Sequence, residues 1–161
     1  MDVKMYGTAQ RPAELDRLNP FVGSWTSAAE QRDLASGRTM RVEQVSTTRW
    51  VAGDRFLMTE TTRMRDGQNE SAVSITTWDP ELRLYRQWTF DQNGTVVAGE
   101  DWEFNAADSS WRLTRQAGDE RIESVLRIDP DGGRMHTNYT VWGRGVRGKI
   151  AEGSGTATRT K

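Results

Sequence analysis

The chain has 161 residues, 35% apolar and 28% charged, with a net charge of −1 at pH 7 and no cysteine. These figures exclude disulfides, thiolate nucleophiles and cysteine-ligated metals, and with no basic stripe they argue against nucleic acid as a partner. The seven tryptophans separate the chain from disordered sequences of similar polarity, and the length suits one domain with one core.

In chain order, residues 1–11 read as a flexible tail and 12–161 as a single domain. The N-terminal segment holds no apolar stretch of signal-peptide length, and no run approaches a membrane span, so the expectation is a cytoplasmic protein with no membrane partner. Pro12 to Leu18 predicts a short helix: proline suits a first helical position, Glu14 and Asp16 follow it, and Pro20 stops it. Leu15, Leu18, Phe21 and Val22 form an apolar cluster fit to plug one end of a barrel.

After Gly23 the period becomes two. Ten strands are predicted, at 24–30, 40–51, 54–64, 72–78, 83–90, 95–104, 110–116, 120–128, 134–143 and 149–159. Asp66-Gly67, Asn93-Gly94, Gly118-Asp119 and Asp131-Gly132-Gly133 supply residues that tolerate positive φ in tight turns. Links this short make hairpins, not parallel crossovers, so the chain predicts an all-β, up-and-down antiparallel barrel with a short N-terminal helix. The glycine-rich last segment suits a strand that bends to close it.

The segment Phe21-Val22-Gly23-Ser24-Trp25, a G-x-W element after a short helix, resembles the floor of lipocalin-like calycin barrels. Trp50-Val51-Ala52-Gly53-Asp54-Arg55-Phe56-Leu57, Thr77-Trp78-Asp79-Pro80 and Trp88-Thr89-Phe90-Asp91 extend the resemblance to the DUF1579-type bacterial branch, with nitrobindin and fatty-acid-binding-protein barrels as cousins. The resemblance covers roughly residues 15–160. It implies a barrel with an internal cavity, a structural role for Trp25, and Arg159 as a partner for it.

The candidate site residues are polar interruptions of apolar strand faces. Glu60 falls among Phe56, Met58 and Met64; Arg86 among Leu84, Trp88 and Phe90; Glu100 among Ala98, Trp102 and Phe104. A barrel interior that joined them would pair Arg86 with a carboxylate and provide a polar anchor or a general acid and base. Phe56, Met58, Trp88, Trp102 and Tyr139 are the candidate walls for a small hydrophobic or amphipathic ligand. His136, the sole histidine, is a further catalytic candidate, with Asn138 and Thr140 on its face. Alternatives are a cofactor-independent isomerase, cyclase or lyase, and a haem-binding barrel, although His136 does not match the nitrobindin ligand motif. No metal-ligand pattern or resident cofactor is expected, the Gly143–Gly148 hairpin reads as a basic flap at the mouth, and a homodimer stays open.

Overall fold

The computed structural model describes residues 10–65, 67–145 and 148–160. Most of the expected tail, Asp66 of one turn, and residues 146–147 of the basic hairpin lie outside the described residues. A 3₁₀-helix, Ala13–Phe21, follows Pro12. It runs through Pro20 instead of stopping before it. The short i→i+3 spacing costs Pro20 only its absent donor, and the Val22 N–H closes the last turn by donating to the Asn19 carbonyl at 3.1 Å.

Ten strands follow: β1 (Gly23–Asp33), β2 (Thr39–Val51), β3 (Phe56–Arg65), β4 (Gln68–Asp79) and β5 (Leu84–Asp91). The second half is β6 (Val96–Asn105), β7 (Ser110–Ala117), β8 (Glu120–Ile128), β9 (Arg134–Gly143) and β10 (Lys149–Arg159). Each pairs antiparallel with the next, and β10 returns to β1, which closes the barrel and leaves no free edge. The strands agree with the predicted segments to within a few residues at each end.

Aspartates staple the turns. Asp91 Oδ1 accepts from the N–H groups of Asn93 and Thr95, both at 2.9 Å, and Gly94 supplies the positive φ the turn needs. Asp79 accepts from Glu81 and Leu82, and Asp131 from Gly133.

The helix plugs the end where β1 begins. Leu15, Leu18 and Phe21 are buried against Leu57, Tyr85, Trp102, Trp111 and Leu113. Each such side chain contributes about 1.5–3 kcal/mol of burial. Three polar contacts fix the plug's orientation: Tyr85 Oη donates to the Glu14 carbonyl (2.6 Å), Trp25 Nε1 to the Phe21 carbonyl (2.9 Å), and Trp50 Nε1 to Asn19 Oδ1 (2.9 Å).

Arg159 finishes this end. Its guanidinium lies 4.3 Å from the centre of the Trp25 ring. It donates to the carbonyls of Gly132 (2.9 Å), Pro20 (2.8 Å) and Val22, tying the last strand to the helix and to the β8–β9 turn. Hydrogen bonds from a charged donor are the stronger ones. Arg159→Met should therefore cost about 2 kcal/mol, read as a lowered urea midpoint; an unchanged midpoint would mean that this clamp does not hold the floor.

Candidate functional site

The register fixes which side chains point inward. Trp78 pairs with Tyr85, Tyr85 with Trp102, Trp102 with Leu113, Leu113 with Ser124, Ser124 with Tyr139, and Tyr139 with Gly153. Directly paired residues share a sheet face, and Tyr85, Trp102 and Leu113 are buried, so this row is the inner one. On β3 the inner residues are Leu57, Thr59, Thr61 and Arg63; on β5 they are Tyr85, Gln87 and Thr89.

The candidate residues consequently separate. Glu100, Trp102 and Tyr139 point inward. Phe56, Met58 and Glu60 take the outer face of β3, and Arg86 and Trp88 the outer face of β5. Glu60 and Arg86 therefore do not join Glu100 inside. Arg86 instead sits against Asp101 (3.4 Å) and Asp79 (4.0 Å), with its guanidinium 5.3 Å from the Trp88 ring. The physical reason is an inverted pattern. On β3 and β5 the inner face is the more polar one, while Met58, Ile75 and Trp88 make an apolar row outside.

Inside, the aromatic plug fills one half of the barrel and leaves a chamber of about 220 Å³ in the other. Its floor is Phe21, Trp25 and Trp102, with Leu57, Leu126 and Met135 beside them. Its walls are hydroxyls and amides, which sequence reasoning missed. Several are already paired: Thr48 with Thr59 (2.9 Å), Ser74 with Thr89 (2.9 Å), and Gln87 Nε2 with Thr76 Oγ1 (2.9 Å). Glu100, Arg115 and Arg63 complete the lining. Thr61, Arg63, Ala72, Thr89 and Arg115 also line a mouth of about 320 Å³, rimmed by Glu70, Asp91, Gln92, Asn93 and Val97.

Glu100 is the chemically distinctive group. It is part-buried, its Oε1 accepts from Trp102 Nε1 at 2.5 Å, and its cross-strand partner is Arg115. Burial raises its pKa above the ordinary 4.5; Arg115 and the Trp102 hydrogen bond oppose that shift, and neighbouring Asp101 adds to it. Arg115 Nε is buried with no hydrogen-bond partner. Tyr139 packs over Gly153, and burial raises its phenol pKa, an effect moderated by Arg63.

The Glu100 shift implies a pH dependence of stability. Folding disfavours the carboxylate, so the stabilisation from the neutral acid is full below about pH 4.5 and is lost as pH rises through the raised folded pKa. The stability of Glu100→Gln relative to wild type should therefore grow from pH 4 towards neutrality, measured by denaturant unfolding. A difference that shrinks with pH would contradict this environment.

His136 lies on the outer face of β9. Its Nε2 is 3.2 Å from Asp129 Oδ1, its Nδ1 is 3.5 Å from Thr156 Oγ1, and its side chain is half-exposed. The chamber thus has no imidazole. Among the described residues no cluster of three or more His, Asp or Glu side chains is placed to hold a metal ion, and no helix is long and apolar enough to cross a membrane. A larger depression of about 910 Å³ runs outside the wall over Glu30, Arg32, Glu123 and Glu152, and is a solvated groove.

No family model matches the chain, and no curated protein matches it. Among solved structures it is similar to an S-type phycobiliprotein lyase from Guillardia theta, at 14% identity and a TM-score of 0.70, with 94% of each chain covered. It is also similar to Rv2717c from M. tuberculosis, at 14% identity and a TM-score of 0.65, covering 94% of this chain and all of that one. At such identity the likeness is one of architecture: the chain has the fold of a ten-stranded, calycin-like barrel.

Proposed function

We propose that the barrel binds a small amphipathic molecule in its chamber. The apolar part would rest on Phe21, Trp25 and Trp102, and the polar part would face Glu100 and Arg115, with Arg63 lining the same chamber. The observation that carries this reading is the division of one enclosed space into an aromatic floor and a charged upper wall, open to solvent on the charged side. A wholly hydrophobic ligand fits less well, because hydroxyls and amides make most of the wall.

The lack of cysteine supports a cytoplasmic setting. The Trp25–Arg159 floor supports kinship with the DUF1579-type barrels. A haem reading loses support from the outward placement of His136.

Glu100 favours one further reading, a lyase or isomerase without a cofactor. A carboxyl with a raised pKa on the wall of a chamber suits a general acid. One structural neighbour is named a lyase, which bears on this only as analogy between folds.

Native mass spectrometry of the purified chain tests the binding reading. The expected result is a bound species that Trp102→Ala releases and that Trp88→Ala, on the outer face, retains. Equal retention by both variants would count against an interior site.

A further inference from the structure

Among the described residues, Arg115, Arg63 and one carboxylate, Glu100, line the chamber, while Glu70 and Asp91 stand at the mouth. Arg115 is the cross-strand partner of Glu100, and its Nε is buried without a hydrogen-bond partner. A guanidinium has five donors in a planar fork that matches a carboxylate, and one orphaned donor leaves that fork incomplete.

We propose that the ligand carries a carboxylate, that Arg115 receives it, and that Glu100 yields the guanidinium by taking up one proton. The proposal rests on the interior-binding reading above and names the chemistry of its polar end: a flat, apolar body with a single carboxylate. The exchange balances. Above the free protein's Glu100 pKa, ligand anion and one solvent proton enter together; Glu100 goes from carboxylate to neutral acid, and Arg115 keeps its charge and gains the ligand carboxylate as a partner. Neutral Glu100 can donate to the incoming carboxylate while Trp102 Nε1 still donates to Oε1. Two carboxylates sharing one arginine without that proton would repel.

Every charged neighbour of Glu100 bears on the linkage. Arg115 faces it from β7 and Gln87 is its partner on β5. Arg63 lines the same chamber from β3, with Tyr139 of β9 within its electrostatic reach. Asp101, next along β6 and engaged outside by Arg86, opposes ionisation of Glu100. Glu70 and Asp91 stand at the mouth.

The experiment is calorimetric titration of the whole chain with naphthoate and with naphthamide, its uncharged isostere, between about pH 5 and pH 8, in buffers of different ionisation enthalpy. Naphthoate should bind more tightly, take up a proton, and weaken as pH rises, by at most about tenfold per unit. Glu100→Gln should bind naphthoate with a flat pH profile. Arg115→Met should lose at least about tenfold in affinity for naphthoate and keep its affinity for naphthamide. Glu60→Gln, outside the barrel, should change nothing.

Equal affinity for both compounds, or an unchanged pH profile in Glu100→Gln, would overturn the carboxylate proposal and leave interior binding standing. Failure of both compounds to bind wild-type protein would count against the interior-binding reading and remove the proposal with it. Should Arg115→Met fail to fold, the Glu100→Gln profile decides alone.

Discussion

Trp111→Ala should destabilise the barrel by about 3–5 kcal/mol. Trp111 is 3% exposed and sits at the centre of the plug cluster. Its ring lies 5.5 Å from Phe21, 5.1 Å from Tyr85, 5.9 Å from Trp102 and 5.0 Å from Phe104, mostly edge to face. Removing it opens a cavity beneath the helix and strips partners from four rings at once. Domains of this size hold only about 5–15 kcal/mol in total, so the loss is a large share. The contrast is Trp88→Ala. That ring is on the outer face, partly solvated and covered by Arg86, and its loss should cost about 1 kcal/mol. Equilibrium unfolding of the two variants measures both. Comparable losses would contradict the division into inner and outer faces.

Gly153→Val should cost about 3 kcal/mol or more and should disturb the seam between β10 and β1. A Cβ built on Gly153 falls 2.5 Å from the Glu30 carbonyl oxygen and collides with the Tyr139 ring. The ring could rotate, but the carbonyl belongs to the paired strand β1, where Gln31 is the cross-strand partner of Gly153. Relief therefore requires the closing pair of strands to separate. Gly155 faces Ala29 across the same seam with little more room. Faster amide exchange along β1 and β10 is the expected signature. A variant with wild-type stability and exchange would show that the seam has slack.

These two residues also show what could be read from the sequence. The strand segments were legible because turn residues punctuate them, and the aspartates that staple Asp79, Asp91 and Asp131 to the following N–H groups are the mechanism. The floor was legible through Gly23-Ser24-Trp25 and Arg159. The G-x-W resemblance ties the first strand to the last, and Arg159 lies over Trp25 as that resemblance implies.

The faces of β3 and β5 were not legible, because the usual rule of apolar inside and polar outside reverses around a wet chamber. Thr59, Thr61 and Arg63 point in while Met58 and Met64 point out. On β6 the rule held, and Glu100 and Trp102 were placed inside from alternation alone. The parity between β5 and β6 is also hidden by a register shift at Thr89/Phe90, which no residue count across the turn reveals. A usable signal did exist. Trp111, Leu113 and Arg115 share one face of β7, and pairing that strand back through Trp102 leads to Tyr85 instead of Arg86.

Glu100 and Arg115 are cross-strand partners, so neither resemblance nor alternation was needed to join them once the register was known. Arg63 arrives from across the barrel, and only closure brings it to the same chamber. That is why the arginine pair was invisible to a strand-by-strand reading, while the carboxylate it faces was not.

The central claim is that ligand enters the barrel and rests on its aromatic floor. The most direct measurement is a two-dimensional amide spectrum that resolves the indole N–H resonances of the seven tryptophans, recorded during titration with naphthoate. Trp25 and Trp102, which line the chamber, should shift together and saturate at one stoichiometric equivalent, while Trp88 stays fixed. Shifts confined to Trp88, with Trp25 and Trp102 unmoved, would place the ligand on the outer wall and contradict the account.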